Sequence, residues 1–252
     1  MAGIYDRADI YDLFDNAERF LEYRKHWETV LQGTGIQSVL DVSIGSGSVT
    51  LPLIDLGIAL YGSDLSESML KNCQRKADCK GYTIELKCSD FRNLGCWADK
   101  RFDCVASTGN SLPYVENTDV LKTLEQMDSL VKEHGYIYLD VRNWDKILKE
   151  KYRFYLYNPI FDGDTRINFL QVWDYNEDES MTFNLLYTFE KNNKIFQKEK
   201  FAEHYYPIRQ NLIIGKLREL GYADIKIMCF PATADHLDVN SPDWYCILAK
   251  KQ

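Results

Sequence analysis

The chain of 252 residues has little of what would place it in a membrane or on nucleic acid. It has no run of eighteen apolar residues, and its opening residues, MAGIYDRADIYD, contain no apolar signal segment, so we expect a cytoplasmic protein. Its formal net charge is −8, whereas binding to a phosphate backbone requires clustered positive charge. We therefore expect neither a membrane nor a nucleic-acid partner.

The sequence also has no pattern of paired or metal-binding cysteines. Its seven cysteines are an odd number spread along the chain, with no CxxC pair and no HExxH sequence. Several lie in apolar runs, such as Cys104 in FDCVAS and Cys246 in WYCILA, where cysteine behaves as a small hydrophobic residue. We expect free structural thiols, with neither a disulfide framework nor a metal site.

Residues 39–68 form the most informative stretch of the chain. The apolar run VLDV predicts a strand buried on both faces, and the turn SIGSG follows it. Gly45 and Gly47 carry no Cβ, so a ligand can lie directly against the backbone there. We expect a helix from about Ser48 to near Gly57. The stretch therefore predicts a strand, a ligand-binding turn and a helix.

A second strand is expected over residues 58–62, and it leaves Asp64 at its carboxyl edge. An acid there can accept hydrogen bonds from both hydroxyls of a ribose. A dinucleotide fingerprint, GxGxxG, would require a third small residue where Thr50 stands. The pattern is instead DxxxGxG, with Asp41 four residues before Gly45. The alternative is a βαβ unit whose glycines only make a tight turn.

Polar residues follow the next predicted strand in the same way. A helix over residues 66–80 precedes a strand over 82–88, which ends at Asp90 and Phe91. An acid followed by an aromatic ring suits an adenine, whose amino group needs an acceptor and whose face needs an apolar partner. Alternatively, Asp90 only caps the turn before Arg92.

The fourth and fifth strands are predicted over residues 102–107 and 136–141, with a helix over 117–134 between them. The loop over 108–114 follows the fourth strand and, in an open α/β sheet, faces the ligand crevice. Arg142 follows the fifth strand, where its guanidinium is a fork-shaped donor for a carboxylate.

Two features around this unit have alternative interpretations. Arg142 could instead form a surface salt bridge to Asp145 or Glu150. A helix over residues 16–32 precedes the first strand, and the segment before it, with Tyr5 and Tyr11, is either a lid over the ligand or a frayed terminus.

The hydrophobic period changes from helical to strand-like at residue 152. Aromatic and β-branched runs over 152–206 predict an inserted antiparallel cap. A helix from Pro207 and strands over 225–230 and 244–249 then complete a seven-stranded sheet. The fold class is therefore α/β with a β cap. The expected division is 1–151 with 207–252 for the main domain and 152–206 for the cap.

Two motifs resemble those of a known enzyme class. The DxxxGxG turn resembles motif I of class I S-adenosylmethionine-dependent methyltransferases, and DLSESML from Asp64 resembles their acidic loop. Their fold is Rossmann-like. Four further segments together resemble glycine and sarcosine N-methyltransferases: RFLEYR from Arg19, GNSL from Gly109, LDVRNWD from Leu139, and YYP from Tyr205.

The resemblance implies S-adenosyl-L-methionine as cofactor and a role for particular residues. Arg19 would hold the methionine carboxylate, Asp64 the ribose, and Asp90 with Phe91 the adenine. The cofactor set is completed by Asp41, Ser43, Gly45, Gly47, Leu65 and Thr108. Asn110 and Arg142 would bind the acceptor, and the cap would contribute Tyr187 and Tyr205, the latter followed by Tyr206.

These residues predict N-methylation of a small amino acid or amine. For the oligomeric state, the sequence is compatible with either a monomer or a homo-oligomer. Departures from the family, Ser43-Ile44 for an alanine-cysteine pair and Tyr114 for a histidine, bear on the acceptor. Alternatives are another nitrogen or oxygen acceptor, such as a natural-product intermediate or an amino sugar, a dinucleotide oxidoreductase, and a catalytically silent cofactor-binding regulator. The candidate for a general base is His204.

Overall fold

The computed structural model describes residues 3–232 and 242–252, and its main sheet has seven strands. The strands are β1 (Ser38–Asp41), β2 (Ala59–Asp64), β3 (Glu85–Cys88), β4 (Phe102–Ser107), β5 (Val131–Arg142), β11 (Tyr222–Cys229) and β12 (Trp244–Lys251). Their order is β11-β12-β5-β4-β1-β2-β3. β12 runs antiparallel to its neighbours β11 and β5, whereas β5, β4, β1, β2 and β3 are parallel to one another. The predicted seven-stranded Rossmann-like sheet is confirmed.

A second, antiparallel sheet lies between β5 and β11 in the chain. Its strands are β6 (Phe154–Leu156), β7 (Ile160–Asp162), β8 (Thr165–Tyr175), β9 (Met181–Lys191) and β10 (Lys194–Tyr205). The order is β10-β9-β8-β6, with β7 also paired to β8. Burial alternates along β8 and β9, so one face of this sheet is covered. All five strands lie within the residues predicted to form the cap.

Six α-helices accompany the two sheets in the described part of the chain. They are α1 (Ala8–Tyr11), α2 (Ala17–Leu31), α3 (Glu67–Lys80), α4 (Asn117–Leu130), α5 (Trp144–Glu150) and α6 (Gln210–Glu219). The side chains of Asn16 and Ser66 accept backbone N–H groups at the starts of α2 and α3, which are typical N-caps. No helix of these ranges has the length and apolar composition of a membrane span.

The helix expected from Ser48 to Gly57 is shorter than predicted. The chain turns through residues 45–50 and then forms a six-residue 3-10 helix, Leu51–Leu56. Pro52 lies in its first turn and has no N–H to donate backwards, so a regular α-helix cannot extend through this point.

The helix expected over 117–134 also ends early, at Leu130, because Val131 already pairs with Phe102 in the sheet.

Each face of the main sheet carries a hydrophobic cluster, because alternate residues of its strands point in opposite directions. On β4, Val105 belongs to one cluster, whereas Cys104 and Ala106 belong to the other. The cluster that contains Val105 continues into the covered face of the second sheet, through Phe169 and Phe183. The second sheet and the main sheet therefore share one apolar core.

Candidate active site

Two adjoining cavities lie at the carboxyl ends of the parallel strands. The strand-edge cavity, about 810 Å³, is lined by the glycine turn, by Asp64–Ser68 after β2 and by Asp90–Arg92 after β3. The cap cavity, about 460 Å³, lies between α2, the end of β5 and the covered face of the second sheet. Seven residues line both cavities: Tyr5, Tyr11, Ser48, Val49, Gly109, Tyr114 and Glu203.

Asp64 lies in the wall of the strand-edge cavity with a fixed orientation. One carboxylate oxygen accepts the N–H of Gly45 and the other accepts the N–H of Ser66, each at 2.9 Å. Burial raises the pKa of this carboxyl above its ordinary value. Because each oxygen can accept more than one hydrogen bond, the acid still has capacity for two ligand hydroxyls. Leu65, beside it, is 69% exposed and also lines the cavity.

The two glycines of the turn have different roles. Gly45 has a φ of +55° and lines the strand-edge cavity, and a Cβ there would meet no described atom within 4 Å. Gly47 has a φ of +79°, but a Cβ there would lie 2.7 Å from the sulfur of Cys73 and 2.8 Å from Leu51. Gly45 therefore leaves backbone open to a ligand, whereas Gly47 allows α3 to pack behind the turn.

Asp41, predicted to bind the cofactor, is fully buried and lines neither cavity in the described part of the chain. Its oxygens accept the N–H of Ser43 at 3.1 Å and the hydroxyls of Thr50 and Thr108 at 3.1 and 2.7 Å. Burial raises the pKa of this carboxyl to about 6. Asp41 therefore supports the turn from behind, and Ser43 and Thr108 line the strand-edge cavity in front of it.

Asp90 and Phe91, predicted to hold the adenine, both line the strand-edge cavity. Asp90 also accepts the backbone N–H of Arg92 at 2.8 Å and pairs with its guanidinium at 2.6 Å, which lowers the pKa of the carboxyl. Asp90 therefore caps the turn before Arg92, as the alternative interpretation has it, and also lines the strand-edge cavity.

Arg142 is 5% exposed and lies in the wall of the cap cavity. Its Nη2 donates to the hydroxyl of Tyr157 at 3.2 Å and to the side-chain oxygen of Gln171 at 3.5 Å. Its Nη1 is buried and has no hydrogen-bond partner among residues 3–232 and 242–252. The guanidinium is surrounded by the rings of Tyr155, Trp173, Phe183 and Trp244, at 4.7–5.5 Å from the ring centres.

The alternative of a surface salt bridge for Arg142 is wrong. Asp145 instead accepts from Arg209 and from the N–H of Gln210. No carboxylate of residues 3–232 or 242–252 forms an ion pair with Arg142. A buried cation without an opposite charge is costly, so this position favours an anionic group on a ligand.

The predicted cap tyrosines also line the cap cavity. Tyr187 stacks on Phe169 with ring centres 4.3 Å apart, and both are buried. The hydroxyl of Tyr205 lies 2.6 Å from that of Tyr114, which in turn hydrogen-bonds the hydroxyl of Tyr5. A continuous row of three hydroxyls therefore runs along the boundary between the two cavities.

Two other predicted residues, Arg19 and Asn110, lie elsewhere than expected. Arg19 lines the cap cavity, where its Nε donates to the hydroxyl of Tyr23 at 3.0 Å, and is absent from the described wall of the strand-edge cavity. Asn110 accepts the backbone N–H of Arg142 at 3.0 Å and the indole N–H of Trp144 at 3.1 Å, and lines neither cavity among the described residues. Asn110 therefore positions Arg142.

His204 was the candidate for a general base, and the structure excludes this role. Its side chain is exposed and packs edge-on against Tyr206, with ring centres 5.0 Å apart. Neither cavity has His204 in its described lining. It lies on the outer face of β10 because alternate residues of a strand point to opposite faces, and Tyr205 points inward.

The segment before α2 lies at the boundary of the two cavities. Tyr5 and Tyr11 line both cavities. Asp12 accepts the hydroxyl of Ser46 at 2.8 Å and pairs with Lys76 of α3 at 2.9 Å. These contacts fasten the segment to the glycine turn and to α3.

Sequence reasoning missed Tyr157, Gln171 and Glu203, which also line the site. The alternation along β8 and β10 was a signal for Gln171 and Glu203, since it places them on the covered face.

Comparisons with known proteins fit this geometry. A family model described as a methyltransferase domain matches residues 39–135. A glycine/sarcosine N-methyltransferase from Aphanothece halophytica is 30% identical over 226 residues, which cover 88% of this chain and 78% of that protein. The chain belongs to the class I S-adenosylmethionine-dependent methyltransferases.

Solved structures share the fold of this methyltransferase over nearly its whole length. An S-adenosylmethionine-dependent methyltransferase from Clostridium acetobutylicum ATCC 824 has a TM-score of 0.76 at 17% identity, with 97% of each chain covered. CalS10, an amino pentose methyltransferase from Micromonospora echinaspora, has a TM-score of 0.75 at 10% identity, covering 100% of this chain and 98% of its own. At these identities the likeness concerns the fold.

The strand-edge cavity of this methyltransferase fits its cofactor, S-adenosyl-L-methionine. It combines open backbone at Gly45, an oriented acid at Asp64 and an aromatic face at Phe91. The helix after the turn, Leu51–Leu56, is only six residues of 3-10 geometry, which is a poor binding site for a pyrophosphate. The alternative of a dinucleotide oxidoreductase is therefore wrong.

Proposed function

We propose that this methyltransferase methylates the amine nitrogen of a small acceptor that carries a carboxylate, of the glycine or sarcosine type. The observation that carries the proposal is Arg142, a buried guanidinium in the cap cavity with one terminal nitrogen that has no partner in the described part of the chain. The similarity to a glycine/sarcosine N-methyltransferase of Aphanothece halophytica supports it.

Arg142 suits a carboxylate because its planar fork can donate two parallel hydrogen bonds. The surrounding rings restrict the guanidinium from several sides, and Asn110 fixes the backbone from which it projects. A carboxylate bound in this way has a fixed position and orientation. Its amine is then held at a fixed distance from the boundary of the cavities, which is the alignment that an in-line transfer needs.

The cofactor, in this proposal, occupies the strand-edge cavity with its ribose on Asp64 and its adenine beside Asp90 and Phe91. Arg19, at the far side of the shared boundary, would receive the methionine carboxylate. S-adenosyl-L-methionine supplies a methyl group on a positively charged sulfur. The shared tyrosines then separate the two reactants from water, which strengthens each polar contact inside the site.

A larger amine is a second candidate for the acceptor. At about 460 Å³ the cap cavity falls in the size range of sites for drug-sized ligands, which is more than a two-carbon amino acid fills. An amino sugar that also carries an anionic group would satisfy both the volume and Arg142. The cap, residues 152–206 in this proposal, would determine the choice, because β8, β9 and β10 supply much of the wall.

The experiment is an acceptor panel with mass detection of added methyl groups. The panel pairs glycine with methylamine and sarcosine with dimethylamine, since each amine is the amino acid without its carboxylate, and adds amino sugars with and without an acidic group. We expect methylation of carboxylate-bearing amines and little of their matched amines. Preferential methylation of the plain amines, or of hydroxyl groups, would contradict the proposal.

A further inference from the structure

Glu203 is the only carboxylate that lines both cavities in the described part of the chain. It lies on β10, where inward and outward residues alternate, and it shares the inward face with Phe201 and Tyr205. The side chain is half-buried, and no lysine or arginine of residues 3–232 and 242–252 forms an ion pair with it. A carboxylate thus lies at the boundary between the two cavities.

The surroundings of Glu203 keep it able to bind a proton. Burial raises the pKa of its carboxyl above the ordinary value, and a hydrogen bond from Tyr114 opposes the rise. Tyr114 also connects it to the hydroxyls of Tyr5 and Tyr205. The titratable and charged groups in the described walls of the two cavities are, besides Glu203, Tyr5, Asp6, Tyr11, Asp15, Arg19, Glu22, Tyr23, Asp64, Glu67, Asp90, Arg92, Tyr114, Arg142, Tyr155, Tyr157, Tyr187 and Tyr205.

We propose that Glu203 accepts the proton that an ammonium acceptor must lose before its nitrogen can attack. This inference rests on the proposed function. The acceptor enters as R–NH₃⁺, and one N–H bond breaks as its proton passes to the carboxylate, leaving R–NH₂. The nitrogen lone pair forms the new bond to the methyl carbon while the carbon–sulfur electron pair returns to sulfur. The proton on Glu203 then leaves to solvent.

The positions of the charged groups give this acceptor one orientation. Its carboxylate lies on Arg142, deep in the cap cavity, and its ammonium group points to the shared boundary where Glu203 lies. The opposite orientation would place like charges together, at a high cost in a partly desolvated site. A proton acceptor must also lie within hydrogen-bonding distance of the proton that it removes. Glu203 lines both cavities, so it borders the space that the ammonium group would occupy.

The test is the pH dependence of kcat/KM for sarcosine in the wild type and in Glu203→Gln. In the wild type the protonated amine is the substrate, so we expect a flat profile between the pKa of Glu203 and that of the amine. Without the carboxylate only the free amine reacts, and its fraction rises about tenfold per pH unit. Glu203→Gln should therefore show that slope, with a loss of roughly 100-fold near neutral pH.

Two further variants control for structural effects. Glu203→Asp keeps a carboxylate and should restore part of the flat profile. Glu199→Gln removes another inward glutamate of β10, one that pairs with Arg7 and lines neither cavity among the described residues, and it should behave as the wild type. Equal profiles in the wild type and in Glu203→Gln would overturn the inference.

A binding measurement tests the same step without turnover. Calorimetric titration of sarcosine into the enzyme with S-adenosylhomocysteine, in two buffers of different ionisation enthalpy, counts the protons released. We expect almost none in the wild type and close to one in Glu203→Gln, and equal counts would overturn the inference.

If no amine in the panel is methylated, the proposed function falls as well. If amines are methylated and the two profiles agree, only the role of Glu203 falls.

Discussion

The two cavities of the site are built in different ways. In the strand-edge cavity, much of the wall comes from the loops that follow successive strands, as when Asp64, at the end of β2, accepts the N–H groups of Gly45, after β1, and of Ser66. In the cap cavity, side chains from distant segments meet: Arg142 comes from β5, and Tyr205 from β10. The first is a short motif repeated at strand ends, whereas the second exists only when the cap is in place.

The largest effect is expected from the buried guanidinium of Arg142 in the cap cavity. Arg142→Lys keeps the charge but not the fork, so we expect a loss of about 100-fold or more in kcat/KM for a carboxylate-bearing acceptor. Affinity for S-adenosylmethionine, measured by calorimetry, should stay within about twofold. Arg209→Lys, which changes an exposed arginine paired with Asp145, is the matched control. A matching loss of cofactor affinity would show that the two cavities are not separable.

A substitution in the strand-edge cavity should instead affect cofactor binding. Asp64→Ala should weaken S-adenosylmethionine binding, because charge-assisted hydrogen bonds contribute about 1.5–3 kcal/mol each. Calorimetric Kd values measure this, and saturating cofactor should restore most of the acceptor turnover. Asp78→Ala on α3 removes an exposed acid that bonds Gln74, and it should leave the Kd unchanged. Unaltered affinity in Asp64→Ala would remove this residue from the cofactor site.

A smaller effect is expected at the boundary itself. Tyr205→Phe removes one hydroxyl of the row that includes Tyr114, and a neutral hydrogen bond contributes about 0.5–1.5 kcal/mol. We expect kcat to fall by roughly 2- to 12-fold, with little change in cofactor Kd. Steady-state kinetics at saturating cofactor measure the change. A loss as large as that of Arg142→Lys would mean that Tyr205 has a further role in the reaction.

The smallest effect on activity is expected at His26, which lies outside both cavities. Its Nδ1 accepts the N–H of Ala232 and its Nε2 contacts the hydroxyl of Tyr138, each at 2.8 Å. Burial lowers the pKa of His26 to about 3, so the unfolded state binds more protons between that value and 6.5. This contribution to stability is complete above pH 6.5 and is lost as the pH falls, by up to ~1.4 kcal/mol per unit.

The measurement for His26 is urea unfolding of the wild type and of His26→Gln from pH 7 to pH 4, with the exposed His204→Gln as control. Asp41 has the opposite sign between pH 3.8 and about 6, since its pKa is raised in the folded state. The difference between the wild type and His26→Gln cancels the Asp41 contribution. A difference that does not change with pH would contradict the assignment of a neutral His26.

The sequence predicted the sheet well because its central strands are short apolar runs with a glycine or an acid after them. It was wrong for the helix after the turn, where Pro52 leaves only a 3-10 helix. Asp41 and Asn110 were expected to contact ligands, but they support neighbouring groups instead. Pattern alone could not separate these roles, since the same polar residue at a strand end faces either the cavity or the core.

The residues that line the cap cavity were harder to predict from the sequence. The local sequence left open whether Arg142 pairs with an acid at the surface, because only the packed cap shows that the guanidinium is buried. His204, the titratable residue beside Tyr205, is the general-base candidate that the sequence offers. The alternation of β10 points Glu203 inward instead.

The central claim is that Arg142 selects an acceptor by its carboxylate. The most direct test compares kcat/KM for sarcosine and for dimethylamine in the wild type and in Arg142→Ala. We predict a strong preference of the wild type for sarcosine that falls close to unity in the variant, because the two acceptors differ only in the group that the guanidinium binds. A preference of the same size in both proteins would contradict the account.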